Sequence, residues 1–186
     1  MCRIYSINGD NKEGITTLSG QTLNITGVGS FDSDKQIVNS WNGFKTSTNG
    51  GAINNAGTLN ISDSIFNNNQ SSANGGMLAN YGSAIISNSV IKENTTDKGG
   101  AIYNANTGLV TMINTSLINN NASSKGGAIY NEGTINIIAD GADVTISGNT
   151  SGTTTKTSDA IYLENGSTLN LNANSANSVT ISDKLS

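Results

Sequence analysis

Apolar residues recur along this chain in short alternating runs. The segments TLNIS (58–62), SAIIS (83–87) and TINII (134–138) place an apolar residue at every second position, mostly with Thr, Ser or Asn between. Such period-two alternation over four to six residues, bounded by Asn, Gly and Ser, predicts β-strands. No stretch sustains the period of an amphipathic helix, so the chain is predicted to be all-β.

The runs belong to an internal repeat. Pairs of glycines open successive copies at Gly50, Gly75, Gly99 and Gly126. These starts lie 25, 24 and 27 residues apart, and periods of about 20–30 residues are typical of solenoids. A weaker start follows at 158–162, and a degenerate copy containing residues 22–25 precedes the series.

Each copy contains three β-like pieces: Gly-Ala-Ile-Tyr-Asn, an alternating run, and a run such as SIFNNN at 64–69. Repeats of this kind stack their strands in parallel, about 4.8 Å apart. We therefore predict a parallel β-helix of about six coils with three short strands per coil. The chirality of parallel connections favours the right-handed form.

Equivalent positions should form columns along such a helix. Two inward columns are predicted: Ile53, Leu78, Ile102, Ile129 and Ile161 in the first strand, and Phe66, Ile91, Ile118, Ile146 and Ile181 in the third. Asparagines fall in register at Asn69, Asn94, Asn121 and Asn149 after the third strand, and at Asn55, Asn80, Asn104 and Asn131 after the first. We expect these asparagines to form structural hydrogen-bond ladders between coils.

An outward column of tyrosines follows the inward isoleucines. Strand alternation directs Tyr103, Tyr130 and Tyr162 away from the core, on consecutive coils. Tyrosine offers a rigid amphipathic face that suits sugars and protein partners, so these residues are candidate ligand-binding residues. The alternative is that the rings stack on each other and stabilise the sheet.

A second outward column is aliphatic. Ile65, Val90 and Leu117 would form an exposed patch suited to lateral contact. The alternative is that a loop or the neighbouring turns cover the patch.

Charge and composition argue against several functions. The net charge is −4 and the basic residues are scattered singly, which argues against a nucleic-acid partner. The absence of His removes the usual general base and metal ligand, and we expect no metal and no cofactor. Some β-helices cleave polysaccharides, and Asp140 and Asp143 with Lys156 are the best set available for that chemistry. Solvated turn charges are the simpler interpretation, so we expect no enzyme.

Two regions are distinguished along the chain. Residues 1–49 form a degenerate coil with a segment at 27–49, containing Phe31, Trp41 and Phe44, that interrupts the period. We interpret this segment as a cap-like cover, with a packed loop or a binding insertion as alternatives. Residues 50–186 hold the regular repeats, which we expect to continue further. The sequence contains neither a signal peptide nor an apolar run that could span a membrane, so an export signal and an anchor are expected outside this segment.

The repeats resemble those of a known family. A GGA(I/L/V) motif stands at 50–53, 99–102 and 126–129, and an FxxN motif at 66–69, with Ile replacing Phe in later copies. These motifs resemble the repeats of polymorphic outer-membrane proteins, autotransporter adhesins best known from chlamydiae, over roughly residues 50–186. The resemblance implies a surface-exposed passenger built as a right-handed β-helix and usually acting in adhesion.

We therefore expect a bacterial outer-membrane-surface or secreted adhesin passenger, a stiff rod that displays repeated side chains for multivalent binding. The expected partners are glycans or proteins on a host or neighbouring cell, with self-association as a further option and no direct insertion into a membrane. Two alternatives stay open: a purely structural stalk or self-associating filament unit, and a carbohydrate-active β-helix enzyme.

Overall fold

The computed structural model describes residues 7–8, 14–28, 30–31 and 37–186, and all regular elements in these ranges are β-strands. The strands form four long sheets, numbered here in the order in which each coil visits them. Sheet 1 contains Ile15–Thr17, Ile53–Asn55, Leu78–Asn80, Ile102–Asn104, Ile129–Asn131 and Ile161–Leu163. Sheet 2 contains Thr22–Thr26, Thr58–Ser62, Ser83–Ser87, Leu109–Ile113, Thr134–Ala139 and Thr168–Ala173.

The two remaining long sheets complete each coil. Sheet 3 contains Ile7–Asn8, Trp41–Asn42, Ile65–Asn67, Val90–Lys92, Ser116–Ile118, Val144–Ser147 and Val179–Ile181. Sheet 4 contains Lys45–Thr46, Gln70–Ser71, Thr95–Lys98, Asn121–Lys125, Thr150–Ser151 and Thr157–Ser158. All neighbours in these sheets pair in parallel except the last two strands of sheet 4, which are antiparallel.

The architecture is a parallel β-helix, as predicted. Strands of successive coils pair residue by residue; Ile102, for example, lies between Leu78 and Ile129. About six coils are present, because sheets 1, 2 and 4 each have six strands. Sheet 4 is a fourth strand per coil that the sequence analysis did not predict. Its strands are short and polar, as at Gln70–Ser71, so they carry no hydrophobic alternation.

The first inward column is confirmed, and the second needs one correction. Ile53, Leu78, Ile102, Ile129 and Ile161 are all fully buried. In sheet 3 the paired residues are Phe66, Ile91, Leu117, Ile146 and Ile181. The prediction of Ile118 was wrong by one residue: Leu117 is fully buried, whereas Ile118 is only partly buried.

The asparagine ladder of the first strand is confirmed. Asn55, Asn80, Asn104 and Asn131 are fully buried. Each Nδ2 donates to the Oδ1 of the asparagine in the following coil, over 2.8–2.9 Å. Because these amides also donate to backbone carbonyls, the buried polar groups are satisfied and hold adjacent coils in register.

The ladder of the third strand contains Asn120 in place of the predicted Asn121. Its members are Asn69, Asn94, Asn120 and Asn149, all fully buried. Successive side chains are joined by Nδ2–Oδ1 hydrogen bonds of 3.0–3.1 Å. Asn121 instead lies in sheet 4 beside Thr150, whose hydroxyl donates to its Oδ1 at 2.8 Å.

Left-handed backbone turns place the third-strand ladder. The residue before each member of the third-strand ladder has positive φ: Asn68, Glu93, Asn119 and Gly148, at 54°, 55°, 56° and 69°. Asparagine and glycine tolerate this conformation best among common residues. The turn therefore falls one residue before the ladder asparagine, which fixes Asn120 as the member facing inward.

Residues 41–46 of the aromatic segment belong to a coil. Trp41 pairs with Phe66 in sheet 3, and the two rings lie 5.3 Å apart. Trp41 and Phe44 are 2% and 6% exposed within the core, with rings 5.7 Å apart. The cap-like interpretation was therefore wrong for residues 41–46, which form part of a coil. Ser30–Phe31 and Ile37–Asn39, which pair antiparallel, precede them. Residues 29 and 32–36 and the side chain of Phe31 lie outside the described part of the chain.

Candidate functional site: a tyrosine strip on sheet 1

The three predicted tyrosines form one continuous stack. Tyr103 pairs with Tyr130, and Tyr130 with Tyr162, on consecutive strands of sheet 1. The ring centroids are 5.8 and 4.9 Å apart, with interplanar angles of 25° and 27°. The strands fix this spacing, since each tyrosine follows an inward isoleucine and strand alternation points it outward.

Stacking limits how these rings can meet a ligand. Tyr130 is only 3% exposed, whereas Tyr103 and Tyr162 are partly buried. Both faces of the Tyr130 ring are occupied by its neighbours, so a sugar cannot lie flat on it. Mutual stacking therefore accounts for Tyr130, whereas the outer edges of Tyr103 and Tyr162 are still accessible.

A fourth tyrosine, which was not predicted from the sequence, extends the tyrosine stack. Tyr81 has its ring 6.2 Å from that of Tyr103, at an angle of 55°. Its hydroxyl accepts a hydrogen bond from Asn49 Nδ2 at 2.5 Å. Tyr81 follows the strand Leu78–Asn80, so it is out of step with the other three, and repeat alignment alone could not place it there.

Two lysines lie along one side of the tyrosine stack. Lys98 and Lys125 are paired across sheet 4. The Lys98 Nζ lies 4.9 Å from the centre of the Tyr130 ring, and the Lys125 Nζ lies 4.0 Å from that of Tyr162. Ammonium groups at this distance are attracted to the face of an aromatic ring. Lys125 also donates to the Tyr162 hydroxyl at 2.8 Å, and this hydrogen bond raises its pKa.

Glutamates border the other side. The Tyr130 hydroxyl donates to Glu164 Oε2 at 2.5 Å. This hydrogen bond lowers the pKa of Glu164. Burial first, and the bond to Glu164 second, raise the pKa of Tyr130. Burial and the neighbouring Glu132 raise the pKa of Tyr103 in the same way. These tyrosines therefore stay neutral hydrogen-bond donors at physiological pH.

The strip thus combines aromatic edges with a lysine row and a glutamate row. We call the set of Tyr81, Tyr103, Tyr130, Tyr162, Lys98, Lys125, Glu132 and Glu164 the tyrosine strip. It offers donors, acceptors and apolar edges at spacings set by the coils, and this suits recognition of an extended polar partner. Within the described residues no three His, Cys, Asp or Glu side chains come together as a metal site.

The predicted aliphatic patch does not form. Leu117 is fully buried in the core and Ile65 is 5% exposed. Only Val90 is partly exposed. In the register of sheet 3, Val90 lies between Ile65 and Ser116. The one-residue slip at Ile118 therefore also misplaced Leu117, and the lateral-contact prediction was wrong.

The acidic candidates lie in exposed turns and are bound to neighbouring polar groups. Asp140 Oδ1 accepts from Asn174 Nδ2 at 3.0 Å. Asp143 Oδ1 accepts from the backbone N–H of Ser178 at 2.7 Å. These contacts join adjacent coils.

Comparison with known proteins supports the repeat assignment. The family model for the Chlamydia polymorphic membrane protein repeat matches residues 82–105 and 114–132. Each match runs from one coil into the next and contains a Gly-Gly-Ala-Ile motif, at 99–102 and at 126–129. The resemblance of these repeats to those of polymorphic outer-membrane proteins is thus confirmed, and it indicates a surface-exposed protein of the outer-membrane, autotransporter type. No curated protein and no solved structure gave a match.

A helix able to cross a membrane is not found among the described residues.

Proposed function

We propose that this chain is a rod segment of a cell-surface adhesin passenger. The observation that carries the proposal is the in-register stacking of equivalent side chains outside a continuous buried core. Tyr103, Tyr130 and Tyr162 repeat along the rod at the spacing of the coils. A rod that presents the same groups at a fixed repeat gains avidity from many weak contacts.

The tyrosine strip is the proposed contact surface. Its partners are glycans or proteins of a host or neighbouring cell, because aromatic edges, ammonium groups and carboxylates together match polar, uncharged or mixed-charge surfaces. The net charge of −4 speaks against nucleic acid as the partner. The proposed role is binding without catalysis and without a cofactor, in keeping with the turn positions of Asp140 and Asp143.

Binding to a panel of glycans, matrix proteins and whole cells tests the proposal. The variant is Tyr103→Ser with Tyr162→Ser, which removes the accessible rings and leaves the buried Tyr130 in place. The matched control is Lys92→Ser with Glu93→Ser, which removes a partly exposed ion pair of 3.2 Å on another face.

We expect the wild type to bind a subset of the panel, the tyrosine variant to lose at least about tenfold in affinity, and the control to bind normally. A folded wild-type protein that binds nothing in the panel would refute the adhesin proposal. Equal binding by all three proteins would move the contact surface away from the tyrosine strip.

A further inference from the structure

The outward face of sheet 2 is free of charge. Its six strands contain no Asp, Glu, Lys or Arg, although the chain has 9 basic and 13 acidic residues. Sheets 3 and 4 carry charged residues within their strands, as with Lys92 and Lys98. Sheet 1 has none within its strands, but the lysines and glutamates of the tyrosine strip border it. On a chain of net charge −4, an uncharged face lets a like-charged partner approach with little repulsion.

The three central strands of this face carry four aliphatic side chains among polar, uncharged ones. Ile85 and Leu109 are 45% and 41% exposed. They lie on adjacent strands, with Ser83 directly opposite Leu109. Ile113 and Ile138, both partly exposed, pair next to them. We call these four residues the aliphatic centre of sheet 2, although Thr111 and Asn136 also face outward between them. It lies on a different sheet from the aliphatic patch predicted at Ile65, Val90 and Leu117.

Polar, uncharged rows surround the aliphatic centre. The outward positions nearer the two ends of the sheet are Thr22, Asn24, Thr26, Thr58, Asn60, Ser62, Thr168, Asn170 and Asn172. Asn60 donates to Asn24, and Asn170 to Asn136, at 2.9 and 2.8 Å. The rim can therefore exchange hydrogen bonds with a partner without desolvating a charge.

The face is also regular enough for sheet-on-sheet packing. All five strand pairs of sheet 2 keep an uninterrupted parallel register. In contrast, the register of sheet 4 shifts between Thr96 and Lys98. Uniform rows let two such sheets interdigitate at a separation of about 10 Å.

We propose that the outward face of sheet 2 is a self-association surface onto which a second copy of this chain packs with the same face. The contact is isologous, so the aliphatic centre of one copy meets that of the other. A patch of six strands about 4.8 Å apart and five residues of about 3.3 Å covers roughly 450 Å² per copy. The total of roughly 900 Å² lies below the range of about 1,200–2,000 Å² for stable complexes. The dimer is therefore weak in solution and favoured where copies are held at high density.

Sedimentation velocity between about 10 µM and 1 mM tests this proposal. The variant Ile85→Lys with Leu109→Lys puts two charges on the aliphatic centre. The control Thr145→Lys with Thr180→Lys adds the same two charges to outward, paired positions of sheet 3. A second variant, Ile85→Thr with Leu109→Thr, removes apolar surface without adding charge and keeps a strand-forming residue at both positions.

We expect a concentration-dependent monomer–dimer equilibrium for the wild type. The lysine variant should weaken dimerisation more than about tenfold, the threonine variant less strongly, and the control by less than about threefold. A wild type that stays monomeric to 1 mM overturns the proposal, as does equal weakening by the lysine variant and its control. A monomer that binds an insoluble neutral polysaccharide, and loses it on Ile85→Lys, would assign the face to a glycan instead. The tyrosine strip is on another sheet, so failure here leaves the adhesin proposal standing.

Discussion

Replacing Asn120 by alanine should destabilise the protein far more than the same change at Asn121. The two residues are chemically identical neighbours in the sequence, but only Asn120 lies in the buried ladder. Asn120 Oδ1 accepts from both the backbone N–H and the Nδ2 of Asn94, each at 3.0 Å. Its own Nδ2 donates to Ile91 O and to Asn149 Oδ1 at 3.1 Å.

The magnitude follows from the groups left without partners. Asn120→Ala removes the acceptor of the buried Asn94 N–H, whereas Asn94 Nδ2 keeps its bond to Lys92 O at 2.9 Å. An orphaned buried donor costs about 1–3 kcal/mol, and a lost ordinary hydrogen bond about 0.5–1.5 kcal/mol. We therefore expect a loss of about 2–4 kcal/mol for Asn120→Ala. Asn121→Ala gives up one partly exposed bond to Thr150 and should cost about 1 kcal/mol or less.

Urea unfolding followed by circular dichroism measures both free energies of unfolding, with the slope against urea checked for constancy. Equal losses for the two variants, or a larger loss for Asn121→Ala, would refute the register of the third strand. Asn121→Ala also serves as the control for composition, since both variants lose the same atoms.

Two further outcomes follow from the structure. Gly100→Ala should prevent folding or cost several kcal/mol, because a Cβ there would lie 1.9 Å from the backbone oxygen of Gly127. Gly20→Ala, which meets no atom within 4 Å but has a φ of 79°, should cost only about 1–2 kcal/mol in the same urea unfolding experiments. Raised pKa values at Tyr103 and Tyr130 mean that the folded state holds these protons more tightly than the unfolded state. Their contribution to stability is complete below about pH 10 and is lost as the pH rises further, so the Tm should fall above pH 10. The variant Tyr103→Phe with Tyr130→Phe should show a smaller fall, and an identical fall would contradict the assigned shifts.

The strands that bury apolar side chains could be predicted from the sequence. Ile53 and its equivalents are aligned by glycine pairs that the turn geometry requires, and Gly50 and Gly75 have φ of 77° and 69°. The strands of sheet 2 could be predicted equally well, because one face of each alternating run is apolar. Where both signals were present, the predicted register agrees with the structure.

The predictions failed where several similar residues stand together. In the run Asn119, Asn120 and Asn121, composition does not show which side chain points inward. The decisive feature is the positive φ of Asn119, which only the backbone reveals. Trp41 was missed for a related reason. Trp41-Asn42-Gly43-Phe44 takes the place of Phe66-Asn67-Asn68-Asn69, but Phe44 replaces the ladder asparagine and hides the motif.

The tyrosine strip could be predicted only in part. The outward column of three tyrosines was readable from the repeat. The positions of Lys98 and Lys125 over the rings depend on sheet 4, whose short polar strands carry no periodic signal. Tyr81 reaches the stack from a turn, and the near-complete burial of Tyr130 results from packing between coils.

The buried asparagine ladders have a direction, and it bears on how such a protein can change length. Every ladder Nδ2 donates towards the following coil and every internal Oδ1 receives from the preceding one, so each coil offers identical connectors at its two ends. If the gene gained or lost one whole repeat unit, such as the one between Asn80 and Asn104, the coils that became neighbours would each carry a ladder asparagine. These asparagines could form the same hydrogen bond between them. Asp183 differs, because it accepts hydrogen bonds from Asn149, but a carboxylate has no N–H group with which to donate to a further coil. A single-base change from an asparagine codon to an aspartate codon at such a position would therefore end the hydrogen-bond ladder.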